Sequence, residues 1–167
     1  MSLLDDVSIV VTPNGYKAGE LYAVIPVPTE GAEQVVNGDF ATDSDWSKGT
    51  GWTIINGEAV CSSGNGNLQQ NVSVTSNKIY KVTFEVTDYT SGTLYVDLGG
   101  STSQTTTSTG NKIFYFTTTS TNNLRFYGGV FSGSIDNVSV KEWSGADMDV
   151  TRATAATRVD ENGLVNY

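Results

Sequence analysis

The residues of this chain that could do chemistry are tyrosines, an arginine and an acid that alternate with apolar residues. On strands, such alternation places them on the face opposite the core. Aromatic faces stack on the C–H surfaces of sugars, and planar polar groups bond sugar hydroxyls. The same residue types are enriched in subunit contacts, so a glycan site and an interface both stay open. The candidate residues are Gln69, Tyr95, Asp97, Tyr115, Arg125 and Tyr127.

Catalytic chemistry finds little support in the sequence. The chain contains no histidine, which excludes a triad built on imidazole and a zinc site that needs histidine ligands. A glycosidase needs two carboxylates that flank a cleft. Asp97 and Glu85 are both predicted to point outward, but such groups are ordinary solvated acids on a chain of net charge −9. Because nucleophile-elbow, phosphate-loop and zinc-protease motifs are also missing, we predict a non-enzymatic protein.

The composition narrows the class of protein further. A length of 167 residues, 38% of them hydrophobic, allows one sizeable core, and the abundance of Thr, Ser, Gly, Asn, Val and Tyr favours β-structure. The nine basic residues are scattered, which argues against nucleic-acid binding. No apolar run approaches membrane-spanning length, so no membrane insertion is expected. The single cysteine, Cys61, is predicted to be a small buried residue.

Strand-like runs separated by turn signals fill the middle of the chain. In "KIYKVTFEVTDY", Tyr80, Val82, Phe84 and Val86 fall on one face. The dipeptide Asn56-Gly57 predicts a hairpin turn, and "GGSTSQTTTSTGN" predicts a long polar loop. The other predicted strands lie in "EQVVNGDF", "GWTIINGEAVCSS", "GNLQQNVSV", "SGTLYVDLGG", "NKIFYFTTT", "NNLRFYGG" and "GSIDNVSVKEW". Together they predict an all-β antiparallel sandwich or jelly roll.

The two ends are predicted to form a small β anchor. "DVSIVV" and "LYAVIPVP" flank a turn and read as a separate hairpin. So short a hairpin cannot bury its own apolar residues, which therefore need another partner. The C-terminal segment carries two arginines, which we expect to pair with acids of a partner or to stay solvated. The candidate assembly residues are Val7, Ile9, Val11, Leu21, Val24, Ile25, Arg152 and Arg158.

The segment "VVNGDF", followed by Trp46 and "GWTIINGEAV", and the later "GSIDNVSVKEW" resemble the first and last strands of jelly-roll carbohydrate-binding modules. The families in question bind cellulose and xylan. The resemblance covers residues 33–143. It implies that the N-G-D-F and I-D-N-V-S-V segments lie near each other. It also implies that Trp46 and Trp52 pack at the edge of the core.

Members of these families commonly place a glutamate after the phenylalanine of this motif, and that glutamate helps to bind a structural calcium ion. Here Phe40 is followed by Ala41. Calcium requires six to eight oxygen ligands. Asp39 and Asp136 remain as candidate ligands, but the missing glutamate argues against the site. We therefore expect no cofactor, with a structural calcium ion as the alternative.

The ends resemble a different class of protein, the structural proteins of tailed bacteriophages. The resemblance rests on "LYAVIP" and above all on "TRATAATRV". It implies that residues 1–30 and 145–167 form the anchor and that residues 31–144 are a jelly roll inserted into it. In such relatives the segment like "GLVNY" leads into further domains. The chain is thus either a small complete protein or the first piece of a fibre.

These resemblances predict a bacteriophage virion protein, made in the host cytoplasm and attached to the particle by its ends. The expected partners are other virion proteins, further copies of the chain, and host-surface glycans that many copies bind weakly together. One alternative is a capsid decoration or spacer that binds no glycan. Another is a free carbohydrate-binding module of a polysaccharide-degrading enzyme, which would leave "TRATAATRV" without a role.

Overall fold

The computed structural model describes residues 28–121 and 123–144, together with the strand residues 158–159 and 165–166. The chain divides into two units, one of Pro28–Ser144 and the other of Met1–Val27 with Gly145–Tyr167. In the second unit, Arg158–Val159 pairs antiparallel with Val165–Asn166. The predicted anchor stays a prediction, since only backbone pairing is described for Arg158. Its other predicted residues lie outside the described residues: Val7, Ile9, Val11, Leu21, Val24, Ile25 and Arg152.

The unit Pro28–Ser144 is one antiparallel sheet that curls around a single core. The strands are β1 Thr29–Glu33, β2 Ser47–Lys48, β3 Trp52–Ile55, β4 Glu58–Gly64, β5 Asn67–Gln70, β6 Ile79–Leu98, β7 Gln104–Thr106, β8 Gly110–Thr117 and β9 Leu124–Ser144. The longest strand, β9, pairs with β1, β4, β5 and β6. β6 also pairs with β7 and β8, while β3 pairs with β4 and β2 with β5. The predicted all-β antiparallel fold is confirmed. No helix of the described part is long and apolar enough to cross a membrane.

The strand β6 doubles back on itself although it is continuous. The carbonyl of Lys78, just before β6, accepts the amide of Thr118, and the carbonyl of Gly99, just after it, accepts the amide of Thr119. Both ends of a 20-residue strand therefore meet one short loop. β9 follows the same course, because it pairs with β6 along nearly its whole length. The two halves of each strand thus belong to opposite layers of the sandwich.

The bend in β6 stands where the sequence pattern predicts a turn between two strands. The pattern predicts separate strands in "KIYKVTFEVTDY" and "SGTLYVDLGG", whereas the structure joins them. The pairing with β9 shifts register four times between Thr83 and Thr93, and such bulges let a strand bend without ending. Gly92 lies at the bend with φ of +81°, and a Cβ there would lie 2.3 Å from the carbonyl oxygen of Val130. Only glycine fits this position.

Aromatic residues from both layers fill the core. Phe84, on the first half of β6, meets Phe126, which lies beside the second half, with ring centroids 5.2 Å apart. Trp46 and Trp52 are 6% and 4% exposed, which confirms that they pack in the core. Cys61 is also buried, as predicted, and its burial raises the pKa of the thiol.

The segment "VVNGDF" is a tight turn rather than the predicted strand, since β1 ends at Glu33. Asn37 adopts a φ of +52°, and its side chain bonds the backbone of Thr42 and Ser44. Short polar side chains of this kind stabilise the left-handed conformation locally. The backbone carbonyl of Gly38 accepts the amide of Val138 at 2.8 Å. This bond confirms that the N-G-D-F and I-D-N-V-S-V segments lie side by side.

The predicted loop "GGSTSQTTTSTGN" contains a strand, so that prediction is wrong in part. Gln104–Thr106 pairs with Leu94, Tyr95 and Val96. An edge strand needs only backbone hydrogen bonds to its neighbour, so it does not require apolar side chains. By contrast, the Asn56-Gly57 hairpin turn between β3 and β4 is confirmed, with φ of +56° and +79° at its two residues.

Candidate functional site

Five of the six predicted glycan-binding residues lie on one outer face of the sheet. This face, called the tyrosine face below, consists of β5, the first part of β9 and the last part of β6. Tyr95 stands opposite Tyr127, and Arg125 stands between Asp97 and Gln69 in register. The residues that alternate with them are buried in the core: Leu94, Val96, Leu98, Leu124 and Phe126. The pleat therefore directs all five side chains away from the core.

The centre of the tyrosine face is a pair of stacked rings. The ring centroids of Tyr95 and Tyr127 are 5.2 Å apart, and the ring planes differ by 13°. Direct opposition across antiparallel strands brings such side chains into contact. The hydroxyls of Tyr127 and Ser103 are 2.5 Å apart, which ties the ring to the segment before β7. The result is a half-buried aromatic surface held in place before any ligand arrives.

Beside the rings lies a bidentate ion pair. Nε of Arg125 donates to Oδ1 of Asp97 at 2.9 Å, and Nη2 donates to Oδ2 at 2.8 Å. The hydrogen bond to Asp97 raises the pKa of Arg125, and the guanidinium carbon lies 5.9 Å from the centroid of the Tyr127 ring. Asp97 is only 3% exposed, so it is not the solvated acid that alternation suggests. Its carboxylate orients the arginine.

An open groove borders this ion pair. A groove of about 230 Å³ is lined by Asp97, Arg125 and Gln69 together with Ser120 and Asn123. Gln69 also lines a neighbouring groove of about 460 Å³. The sequence pattern missed Ser103, Ser120 and Asn123 because they lie in connections, where no period-two signal marks the direction of a side chain.

Tyr115 lies apart from the other five residues. It stands on β8 opposite Lys81, on the first half of β6, whereas Tyr95 and Asp97 lie on the second half. Its ring contacts Trp143 instead, at a centroid distance of 5.3 Å. The separation follows from the bend in β6, which alternation cannot reveal.

The two candidate calcium ligands, Asp39 and Asp136, lie near two further acids, Glu58 and Glu85. Burial raises the pKa of Asp136, and the negative charges of Glu58, Asp39 and Glu85 raise it further, while the amide of Asn137 opposes the shift. Within the described residues, no three acidic or cysteine side chains converge as a metal would require. The expectation of no cofactor, with a structural calcium ion as the alternative, therefore stays a prediction.

Replacing Asp136 by asparagine is expected to stabilise the protein at pH 7 without calcium, by about 0.5 kcal/mol. The folded state raises the pKa of Asp136, so folding disfavours the charged carboxylate. The gain should vanish below the ordinary pKa of 3.8, where both states are protonated, and appear as pH rises through the folded pKa. Urea unfolding at pH 3 and pH 7 in EDTA measures this gain, and Asp88→Asn, at an exposed aspartate, is the control.

A loss of stability in Asp136→Asn at pH 7 would contradict this account. Calcium titration of the same variants tests the ion separately. A bound ion stabilises the folded wild-type chain by mass action, and Asp136→Asn would then weaken that effect.

The chain was also compared with known proteins. No protein-family model matches it, and no curated protein matches it. Among solved structures, a chain described as "CBM4 structure and function" matches with a TM-score of 0.45 and 16% sequence identity, over 56% of this chain and 76% of that one. A similarity of this size assigns neither a family nor a ligand to the present chain.

Proposed function

We propose that this chain is a non-enzymatic glycan-binding module whose ligand lies on the tyrosine face. The observation that carries the proposal is the stacked Tyr95–Tyr127 pair beside the Asp97–Arg125 ion pair. Sugars offer C–H surfaces that pack on aromatic rings and hydroxyls that bond guanidinium and amide groups. The face presents both kinds of group side by side.

The arginine of the face is held in place before binding. A guanidinium has five N–H donors, and two of those on Arg125 bond Asp97, which leaves three for ligand hydroxyls. The amide of Gln69, opposite Arg125, supplies a further donor and acceptor. Side chains that are already held lose less conformational entropy when a ligand binds. The fixed position of Arg125 therefore strengthens the binding of a ligand that makes few contacts.

The state of Asp97 supports binding rather than catalysis. Glycoside hydrolysis needs two carboxylates that are free to exchange protons or attack the sugar. Asp97, the carboxylate at the centre of the face, is covered and bonded twice to Arg125. It therefore acts as a holder of the arginine and not as an acid or nucleophile.

Replacing Tyr127 by alanine is expected to weaken glycan binding about tenfold, a loss of about 1.4 kcal/mol. The change removes one stacking ring and leaves Tyr95 without its neighbour. Tyr127→Phe keeps the ring and should retain affinity within about threefold if stacking dominates. A glycan array that includes xylan, cellulose and bacterial surface glycans, with the chain displayed multivalently, identifies ligands for titration.

The matched control is Ile55→Ala, which removes exposed apolar surface on the β3–β4 hairpin, away from the tyrosine face. Binding that survives Tyr127→Ala and Tyr95→Ala unchanged would refute the tyrosine-face site. If the folded chain binds nothing on the array, the spacer or decoration function is favoured instead.

We further propose that this module is carried on a bacteriophage particle. Its support is the resemblance of "LYAVIP" and "TRATAATRV" in the terminal segments to phage structural proteins. Residues 1–30 and 145–167 would attach it to other virion proteins, and multiple copies would strengthen weak glycan binding. Immunogold labelling and mass spectrometry of purified particles test this placement. Recovery with secreted polysaccharide-degrading enzymes instead would favour the free-module alternative.

A further inference from the structure

A second group of aromatic and polar side chains lies on the other layer of the sandwich. It is called the tryptophan face below, and it consists of Glu30, Lys81, Tyr115, Lys141 and Trp143. β8, the first half of β6, the end of β9 and β1 position these residues, with Lys81 between Tyr115 and Lys141 and with Glu30 opposite Trp143. Their neighbours along the strands are buried core residues: Tyr80, Val82, Phe116 and Val140.

The aromatic part of this face is accessible. The ring centroids of Tyr115 and Trp143 are 5.3 Å apart, and their planes differ by 61°. Tyr115 is 46% exposed, and Ile113, on the same side of β8, is 56% exposed. Apolar surface left in water at one place on a domain is a common mark of a binding site.

The polar part of the face is a nearly neutral network with spare donors. Nζ of Lys81 donates to Oε1 of Glu30 at 2.6 Å, and Nζ of Lys141 donates to Oε2 at 3.3 Å. The nearby carboxylate of Glu33 accepts the backbone amides of Val35 and Val140. Each ammonium has three donors, and one on each lysine reaches Glu30, so others are left for a ligand.

The balance of charge decides the class of ligand. The two lysines and the two glutamates cancel, and the whole chain carries a net charge of −9. An anionic polymer would therefore be repelled at long range and would gain no net local attraction. A neutral saccharide fits better, because it needs aromatic surface and hydrogen-bonding groups but no net charge.

We propose that the tryptophan face is a second binding site for a neutral saccharide, so that one chain holds saccharides on both outer faces of its sandwich. The ligand class rests on the proposed function of the tyrosine face. The independence of the two sites rests on the fold: Lys81 and Tyr95 lie on different halves of the doubled-back strand β6.

The test uses the full chain with xylohexaose and cellohexaose as probes. Trp143 is the partly exposed tryptophan, while Trp46 and Trp52 are buried, so a fluorescence change reports the tryptophan face. Calorimetry should give two sites per wild-type chain for at least one probe. Tyr127→Ala should leave one site and keep the fluorescence change. Tyr115→Ala should also leave one site and weaken the fluorescence response at least tenfold.

Trp143→Ala and Lys81→Gln serve as further variants, and the exposed position of Tyr115 keeps the test valid if Trp143→Ala fails to fold. The proposal is overturned if neither probe binds, or if Tyr115→Ala and Lys81→Gln leave stoichiometry and fluorescence unchanged. If Tyr127→Ala has no effect but Tyr115→Ala removes all binding, the tyrosine-face function fails and the tryptophan-face site stands.

Discussion

Replacing Gly38 by alanine is expected to destabilise the protein by about 3 kcal/mol or more. A Cβ at this position would lie 2.0 Å from the carbonyl oxygen of Val138 and 3.1 Å from its carbonyl carbon. These atoms are backbone and cannot turn aside as a flexible side chain could. Relief of the clash requires moving the Asn37 turn away from β9, which breaks the bond from the Val138 amide to the Gly38 carbonyl.

Equilibrium unfolding in urea measures this loss, and Gly57→Ala is the matched control. Gly57 has a φ of +79°, but a Cβ there would meet only the carbonyl oxygen of Asp39, at 3.9 Å. Its substitution should therefore cost about 1 kcal/mol, from backbone strain alone. The proposed close approach of the two segments would be wrong if Gly38→Ala lost no more stability than Gly57→Ala.

Replacing Arg125 by glutamine is expected to cost about 2 kcal/mol of stability, in addition to any loss of glycan binding. Breaking a fully buried ion pair costs about 3–5 kcal/mol, because an unpaired charge stays behind. Here Asp97 is covered, but the Arg125 side chain is 43% exposed, so solvent screening reduces the expected loss.

The pH dependence of this effect has a definite sign. The folded state raises the pKa of Arg125 above the ordinary arginine pKa, so the stabilising contribution of its charge is fully present below that ordinary pKa. It is lost only as the pH rises through the higher folded pKa. The cost of Arg125→Gln should therefore show no arginine titration between pH 5 and pH 9.

A double-mutant cycle that combines Arg125→Gln with Asp97→Asn measures the interaction energy between these two residues. The double variant should lose less stability than the sum of the two single variants, since neither partner is then left unpaired. Lys48→Gln is the control, because the acid it pairs with, Asp43, is 58% exposed whereas Asp97 is covered, so this pair should contribute at most about 0.5 kcal/mol. Equal losses in Arg125→Gln and Lys48→Gln would contradict the structural role assigned to the pair.

Much of the fold could be predicted from local patterns. Alternation along "KIYKVTFEVTDY" and "NNLRFYGG" shows which side chains face the core, because neighbouring residues of a strand point to opposite faces. Asn56-Gly57 predicts its hairpin because both residues tolerate positive φ. The polar edge strand Gln104–Thr106 could not be predicted, since its pairing depends on the free edge of β6 and not on its own side chains.

In the candidate site too, local patterns predict some features and not others. The outward direction of Tyr95, Asp97, Arg125 and Tyr127 follows from period two alone. Alternation cannot show, however, whether Tyr115 shares a sheet face with these residues, and the structure places it on the other layer. Alternation also suggests that Asp97 is solvated, whereas the structure buries it and pairs it with Arg125.

The sequence by itself determined the all-β class, the core-facing side of the strands that alternate clearly, and the absence of histidine chemistry. These properties depend on residue type and on neighbours within a few positions. Only the tertiary structure decided which outward residues meet, because that depends on where β6 and β9 bend and on their pairing. The bend requires register shifts and a glycine that fits against the backbone of Val130. Contacts of this kind join residues that are distant in sequence, and no local pattern records them.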